Sequence, residues 1–412
     1  MAHEMHNMRL LGHDKLQGFP NVGEGMAIQQ AHDGRRVMWL AHEGAKDFTG
    51  VDVTNPSAPK TVVQADLQYE GQRSNSLAIV GDILYVAHQM ARKGMPGAGL
   101  DLYNVADPLN PRHISTFDVT GEGSQGVHCL WCVDGEFVHM ASSLPGMSPR
   151  SPRDAQFYVI VDVRDPAKPL QAGQYWFPGT MEGDAEPAPV VHEPNMGYGV
   201  HNTNVYPRRP DRAYCGFKDG GVSILDISDM GHIREISRVD YNPPMPAPGF
   251  THTALPLFDR NLMIVTDETV LEHAEDWPKL AWVMDISDET NPTTLSTLPL
   301  PPVEEFRDRP GRYGAHNLHE NQPVPTSFVS EELIFGSYFS GGMRVHDISN
   351  PFQPKEVAWF IPEIEEDPGI KPFYGDHAAD GMNINDVYVD ENRIVYAVDR
   401  ARGGLYTLEL TI

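Results

Sequence analysis

The segment VIVDVRDPAKP, residues 159–169, decides the fold, because variants of it return along the whole chain. Each copy has a run of apolar residues, an Asp or Asn, an apolar residue, and a polar turn rich in proline. The other copies are GVDVTNPSAP (50–59), LYNVADPLNP (102–111), SILDISDMGH (223–232), VMDISDETNP (283–292), RVHDISNPFQP (344–354) and a degenerate LYTLELTI (405–412). Such internal repetition is the sequence signature of repeat architectures.

Seven repeat units account for almost the whole chain. Each unit contains four short apolar runs separated by turn signals, which predicts four strands per unit and an all-β, seven-bladed β-propeller. We expect one domain over residues 1–412, with blades at about 24–67, 73–119, 123–177, 197–241, 248–301, 312–362 and 379–412. The last unit ends at its third strand, so residues 8–16 are predicted to supply the missing outer strand and to close the ring.

The repeated phrase resembles that of the LVIVD-repeat family of β-propellers, and the resemblance covers about residues 8–412. It implies the fold and leaves the activity open, since propellers host many unrelated functions. The Asp of each phrase is expected to cap the following turn, which is a structural role.

The composition excludes several classes of partner. Asp and Glu number 57 against 31 Lys and Arg, which gives a net charge of −26 at pH 7. Such a surface repels phosphate backbones and anionic headgroups, so neither nucleic acid nor membrane is expected as a partner. No apolar stretch approaches the roughly 18 residues of a membrane span, and the first residues lack the core of a signal peptide. We therefore predict a cytoplasmic protein, and the oligomeric state stays open.

Three cysteines are too few for a disulfide framework. Cys129 and Cys132 form a CxxC pattern, but the surrounding VHCLWCV reads as a strand, on which residues three apart point to opposite faces. We interpret them as buried structural thiols. Because no glycine-rich phosphate loop precedes a helix, no nucleotide cofactor is expected.

The start of the first strand is the informative column of the repeat alignment. The aligned triplets are EGM, RSN, GVH, GVH, FTH, GAH and DGM, whose third residues are Met26, Asn75, His128, His201, His252, His316 and Met382. First strands line the central channel of a propeller, so four imidazoles from neighbouring blades are predicted to meet on the axis. Four neutral nitrogen donors suit a first-row divalent metal. Ferrous iron is the leading candidate, and manganese, copper and zinc are the others.

The ends of the second strands are expected to surround this column. They contribute a polar rim whose candidate catalytic residues are His88, Lys218, Asp267, Glu268, Tyr338 and Arg400. Long loops fall on the same face, as is common where a rigid scaffold carries a site. Glu182, His192, Trp277, Phe373 and His377 lie in these loops and could wall a pocket for a small organic substrate.

The leading functional hypothesis is a non-haem iron oxygenase that cleaves a C=C or C–C bond. The four-histidine arrangement is similar, in architecture alone, to that of the carotenoid cleavage oxygenases. Glu268 or Asp267 would hydrogen-bond a ligand imidazole, while Tyr338, Lys218 and Arg400 would orient the substrate. The alternative keeps the metal as a Lewis acid in a hydrolase or lyase, with Asp267, Glu268 or His88 as general base. A second alternative is a non-catalytic platform that binds another protein.

Overall fold

The protein is built almost entirely from β-strands. The computed structural model describes residues 3–191, 193–240, 249–370 and 381–412. Within these ranges the regular structure consists of strands and three short 3₁₀ turns, at Leu16–Gly18, Pro152–Asp154 and Val303–Glu305. The all-β prediction is confirmed. Among the same residues there is no helix of the length and hydropathy that a membrane crossing requires.

Two strands precede the repeats, and the first three repeats contribute four strands each. The leading strands are β1 (Glu4–His6) and β2 (Met8–Asp14). The first repeat holds β3 (Val22–Gln30), β4 (Arg36–Gly44), β5 (Lys46–Asp52) and β6 (Lys60–Gln64). The second holds β7 (Gln72–Val80), β8 (Ile83–Met90), β9 (Gly99–Asn104) and β10 (Arg112–Asp118). The third holds β11 (Val127–Trp131), β12 (Phe137–Ser142), β13 (Phe157–Asp162) and β14 (Leu170–Tyr175).

The later repeats continue the pattern with fewer strands in the last two. The fourth repeat holds β15 (Thr203–Tyr206), β16 (Arg209–Phe217), β17 (Gly221–Asp226) and β18 (Arg234–Val239). The fifth holds β19 (Thr251–Leu257), β20 (Leu262–Asp267), β21 (Ala281–Asp285) and β22 (Thr293–Thr297). The sixth holds β23 (Leu333–Ser337), β24 (Met343–Asp347) and β25 (Lys355–Ile361), and the seventh holds β26 (Ile384–Val389), β27 (Ile394–Asp399) and β28 (Gly404–Leu410).

Each repeat forms an antiparallel sheet with its strands in chain order. The third, fourth and fifth repeats are separate four-stranded sheets. The first two repeats are joined into one eight-stranded sheet by a single pairing, His42 with Ser74. In the sixth repeat the segment around His316 takes the place of a first strand, but it pairs with β23 only through the bridge between Leu318 and Gly336.

The amino-terminal strands complete the last two sheets. β2 pairs antiparallel with β28, from Met8 opposite Leu410 to Asp14 opposite Leu405, as predicted for residues 8–16. β1 pairs with the outer edge of β25, a contact that the repeat pattern did not indicate. Both ends of the chain therefore contribute to the seventh sheet.

The repeated Asp has the structural role expected for it. In six repeats its side-chain oxygen, or that of Asn104, accepts the backbone N–H two residues later at 2.7–3.1 Å. The three cysteines are buried and unpaired, and burial raises the pKa of Cys132 to about 12. Thiols held protonated in this way are inert, which agrees with a structural role.

Candidate metal centre

The four predicted histidines meet at one point. His128 belongs to β11 and His252 to β19, His201 lies just before β15, and His316 lies in the segment that bridges to β23 through Leu318. Neighbouring imidazole centroids are 4.5 Å apart for His128 and His201, 3.8 Å for His201 and His252, and 4.5 Å for His252 and His316. The equivalence of positions across repeats thus translates into a cluster in space.

Hydrogen bonds on the outer nitrogens direct Nε2 of each ring to the centre. His316 Nδ1 donates to the Asn385 carbonyl at 2.7 Å, and a carbonyl can only accept. His201 Nδ1 lies 2.8 Å from Asn202 Oδ1, and the amide is oriented by its own bond from Nδ2 to Glu320 Oε1, at 2.9 Å. In both rings Nδ1 carries the proton, so Nε2 presents a lone pair.

The other two rings have comparable partners. His252 Nδ1 lies 2.8 Å from the Thr253 hydroxyl, which can accept its proton. His128 Nδ1 lies 3.1 Å from both Gln89 Oε1 and Arg73 Nη2, and its Nε2 lies 2.8 Å from Nε2 of His201. Because His201 carries its proton on Nδ1, His128 donates from Nε2 to His201 when no cation is bound, and its Nδ1 accepts from Arg73. A cation at Nε2 of His128 would select the tautomer that donates to Gln89, because Arg73 has no acceptor.

A carboxylate that the alignment did not single out completes one side of the cluster. Glu24 lies 3.9 Å from Nε2 of His128, 3.9 Å from Nε2 of His252 and 3.7 Å from Nε2 of His316. The alignment placed Met26 in the histidine column, whereas Glu24, two residues earlier in the same triplet, reaches the centre.

Two glycines explain how the backbone of Glu24 comes so close. The pairing of β3 with β4 shifts register between Val22 and Met26, which marks a bulge. A side chain at Gly23 would meet the Asn75 carbonyl oxygen at 2.5 Å, and one at Gly25 would meet the Leu77 nitrogen at 2.3 Å. The sequence Gly-Glu-Gly at a strand start was therefore the signal for this ligand.

Glu268 supplies a second carboxylate. Its Oε2 lies 3.9 Å from Nε2 of His201, and its Oε1 lies 3.6 Å from Nε2 of His316. Arg312 donates to Oε1 at 2.8 Å, which orients the carboxylate from the outer side. The cluster thus offers four imidazole nitrogens and two carboxylates.

The electrostatics of the cluster keep the imidazoles neutral. Burial lowers the pKa of all four rings, to about 3 for His201, and their mutual repulsion or nearby cations add to the effect. Burial, followed by the charge of Glu268, raises the pKa of Glu24 to about 7. Neutral imidazoles are the form that binds a metal.

The donor set fits a divalent cation. Glu24 Oε2, His252 Nε2 and His316 Nε2 are buried and make no hydrogen bond to any described residue. Three overlapping trios of Glu24, Glu268 and the four histidines have ligand atoms within 4.8 Å of one another. Buried polar atoms normally have partners, so unpartnered atoms that face a common point indicate a ligand-binding site. Imidazole with carboxylate is a common set for first-row metals.

An open cleft of about 680 Å³ leads to the cluster. His128, His201, Glu24 and Glu268 lie at its base. Its walls mix charged, amide and apolar side chains, among them Arg73, Arg153, Gln156, Met196, Lys218, Phe250, Leu271, Arg312 and Arg400. The metal centre would therefore be accessible to a small molecule.

Strand alternation decides which rim residues face the cleft. The cleft is lined by Gln89, Ser143, Lys218, Glu268 and Arg400, each of which follows a residue that points elsewhere. Successive side chains on a strand lie on opposite faces. Of the six rim residues predicted as catalytic, the structure therefore brings Lys218, Glu268 and Arg400 into the cleft.

His88 is a correction to the predicted rim. Its Nε2 lies 2.8 Å from Asp47 Oδ1 and its Nδ1 lies 3.4 Å from Asp101 Oδ2, all within the interior. Burial opposes protonation, but the two carboxylates outweigh it and raise the pKa of His88 to about 10. An imidazole that is paired with two carboxylates away from the cleft is not placed to act as a general base.

Asp267 and Tyr338 are also placed away from the cleft. Asp267 accepts hydrogen bonds from the Trp282 indole at 2.8 Å and the Thr251 hydroxyl at 3.2 Å. Tyr338 is buried with its ring 5.8 Å from that of His346. The next residue, Phe339, is the one that stacks on His316, at 4.5 Å.

None of the loop residues predicted to wall the pocket is found in the described lining of the cleft. Glu182 is exposed, Trp277 is 42% exposed, and neither lines the cleft. His192, Phe373 and His377 lie outside the described residues. The walls observed come from other parts of the same long connections, such as Arg153, and from the residues beside the strands.

Comparison with known proteins addresses the fold. The LVIVD repeat family model matches residues 211–241. Among solved structures, the periplasmic gluconolactonase PpgL of Pseudomonas aeruginosa is similar, with 13% identity, a TM-score of 0.54 and coverage of 82% of this chain and 85% of that one. A protein from Lactobacillus plantarum is similar at 10% identity and a TM-score of 0.54, with coverage of 82% and 88%. No curated protein matches the chain. Together with the four-stranded antiparallel sheets, these findings confirm the resemblance seen in the repeated phrase: the chain carries an LVIVD repeat at residues 211–241 and has a β-propeller fold.

Proposed function

We propose that the chain is a metal-dependent enzyme that binds one divalent cation where the four histidines meet. The observation that carries this proposal is the convergence of Glu24 Oε2, His252 Nε2 and His316 Nε2, three buried atoms that lack hydrogen-bond partners within the described residues. We also propose that the seven repeats form a closed ring of seven blades, which places the cation on its axis. Ferrous iron, manganese and zinc all suit this donor set.

The proposed chemistry is Lewis-acid catalysis of a hydrolase or lyase reaction. A bound divalent metal would polarise a substrate oxygen or lower the pKa of a water molecule. Glu24 lines both the cleft and a separate small cavity of about 30 Å³, whereas Glu268 lines the cleft alone. Glu268 would accept the proton from water or from a substrate carbon, while Arg312 holds its other oxygen.

Two carboxylates favour this reaction class over the oxygenase hypothesis. They offset the charge of a dication and provide a base beside it, which oxygen activation by a four-imidazole site does not require. The oxygenase remains the second candidate, because four imidazoles without a thiolate are the set that resembles the carotenoid cleavage oxygenases. PpgL is a gluconolactonase, and its likeness to this chain concerns the fold.

Metal analysis of untagged protein tests the proposal. We expect about one first-row metal ion per chain in the wild type and near-complete loss in H252N. H139N is the matched control, because His139 is equally buried but bonds to Tyr158 Oη at 2.7 Å, outside the cluster. Equal metal content in H252N and H139N would reject the metal centre and favour the interaction platform.

Turnover of a panel of esters, lactones and hydroxy acids then separates the two reaction classes. Hydrolase or lyase chemistry predicts the same rate with and without dioxygen. Dioxygen uptake in step with substrate loss would instead establish the oxygenase.

A further inference from the structure

Lys218 stands out among the cations of the cleft. Arg312 is paired with Glu268 at 2.8 Å, and Arg73 and Arg400 both bind Glu43. Arg153 also lines the cleft, but it is exposed and donates to the Asn195 carbonyl. Lys218 is half-buried and donates to a neutral group, Gln156 Oε1, at 2.8 Å. No carboxylate in the described ranges forms an ion pair with its ammonium group.

The nearest acidic neighbour in sequence is engaged elsewhere. Asp219 Oδ2 accepts the backbone N–H groups of Met196 at 2.8 Å and Gly197 at 3.0 Å. Burial lowers the pKa of Lys218, and the charges of Asp219, Glu268 and Asp154 offset this only in part. A positive charge removed from water without a counter-ion is unfavourable, so its retention calls for a reason.

The backbone at Lys218 shows a second unfavourable feature. The residue follows β16 directly and has a φ of 24°, in a region that side chains rarely occupy. Strained non-glycine residues of this kind cluster at binding and catalytic sites, where the surrounding structure holds them in place. Here the strain directs the side chain into the cleft beside Gln156.

Phe250 relates Lys218 to the metal centre. Its ring centroid is 5.9 Å from Lys218 Nζ and 5.5 Å from the His201 imidazole. The Phe250 ring thus lies near both the ammonium group and one of the four imidazoles. Met196 and Leu271 add apolar surface to the same cleft.

We infer that the substrate carries a carboxylate which pairs with Lys218, while an apolar portion packs on Phe250 and the reacting group faces the four histidines. This inference rests on the proposed function and narrows it to small organic acids. The cleft lining holds five cations and four carboxylates, which is a more positive balance than that of a protein whose net charge is −26. An anion entering the cleft would complete the missing ion pair.

A shape-matched pair of probes tests the inference. Phenylacetate and phenylacetamide have nearly the same shape and differ in charge, so their affinities for the zinc-loaded protein are compared by calorimetry. We expect the wild type to bind phenylacetate at least 10-fold more tightly. K218M should abolish this preference, K218R should keep part of it, and the exposed-site control K168M should match the wild type.

Two further readouts keep the result interpretable. K218M should unfold at a higher temperature than the wild type in the absence of probe, because it removes a half-buried charge that has no ion-pair partner. Its metal content should equal that of the wild type, so a failed charge preference with intact metal binding overturns the substrate inference alone. Loss of metal from the wild type itself would overturn the proposed function.

Two outcomes contradict the role of Lys218. Equal affinity of the wild type for both probes would show that the cleft does not select anions. Borohydride-dependent labelling of Lys218 by a carbonyl compound, without any charge preference, would show that the amine acts as a nucleophile instead.

Discussion

Replacing Thr253 by valine should weaken metal binding without touching a metal ligand. The Thr253 hydroxyl is the acceptor for His252 Nδ1, at 2.8 Å, and both residues are fully buried. Valine has nearly the same shape but cannot accept, so the imidazole loses the bond that fixes its tautomer. Removing such an outer partner typically lowers metal affinity by about 10–100-fold. That range corresponds to ~1.4–2.7 kcal/mol of binding free energy.

The metal-free protein should be affected as well. The N–H of His252 would be left without an acceptor in a buried environment, which costs roughly 1–3 kcal/mol of unfolding free energy. Affinity is measured by competition with a chromophoric zinc chelator at pH 7, and stability by chemical unfolding of the apoprotein.

The chain offers a matched control directly across the sheet. Thr266 is the strand partner of Thr253, is 1% exposed, and has a hydroxyl without a hydrogen-bond partner in the described structure. T266V therefore makes the same chemical change without removing a bond, and it should leave zinc affinity unchanged and stability equal or higher. If T253V and T266V bind zinc equally well, the assigned role of the outer hydrogen bond is wrong.

Three further predictions concern single charges. E24Q preserves shape but removes a charge that faces the cation, so chelator competition should show binding weaker by about tenfold or more. Because the pKa of His88 is raised to about 10, the folded state keeps a proton that the unfolded chain releases above pH 6.5. The free energy of unfolding should therefore fall by about 1.4 kcal/mol per pH unit as the pH rises from 6.5 towards 10. H88Q should lack this slope in urea titrations. Burial lowers the pKa of His42 to about 3, so below pH 6.5 the unfolded chain binds a proton that the folded chain cannot, and the wild type loses stability as the pH falls. Between pH 6.5 and 4.5 the apoprotein of H42N should lose less stability than wild-type apoprotein in the same assay.

The histidine cluster could be predicted from sequence because it depends only on equivalence between repeats. Once the repeated phrase fixes the register, His128, His201, His252 and His316 occupy one column whatever their loops do. Glu24 could not be predicted in the same way, because a bulge interrupts β3 between Val22 and Met26. The bulge shifts which residue of this repeat occupies the position equivalent to the histidines.

The rim residues were harder to predict from the sequence, because neighbouring residues at a strand end differ only in the face of the sheet to which they point. His88 and Gln89, Asp267 and Glu268, and Tyr338 and Phe339 are adjacent pairs, and the second member of each lies toward the cluster or its cleft. A one-residue uncertainty in where a strand begins reverses such an assignment. The loops were harder still, since their paths depend on packing between repeats and carry no periodic signal.

The pairing of the first two strands with the last two sheets has a consequence for amino-terminal truncation of the protein. Residues 4–6 and 8–14 cover the outer edges of β25 and β28, almost the full length of the chain away. A shortened amino terminus would therefore uncover two sheet edges at once, each with a row of free backbone donors and acceptors. Such edges pair readily with other chains, so the missing strands would be replaced by neighbouring molecules and the protein would self-associate.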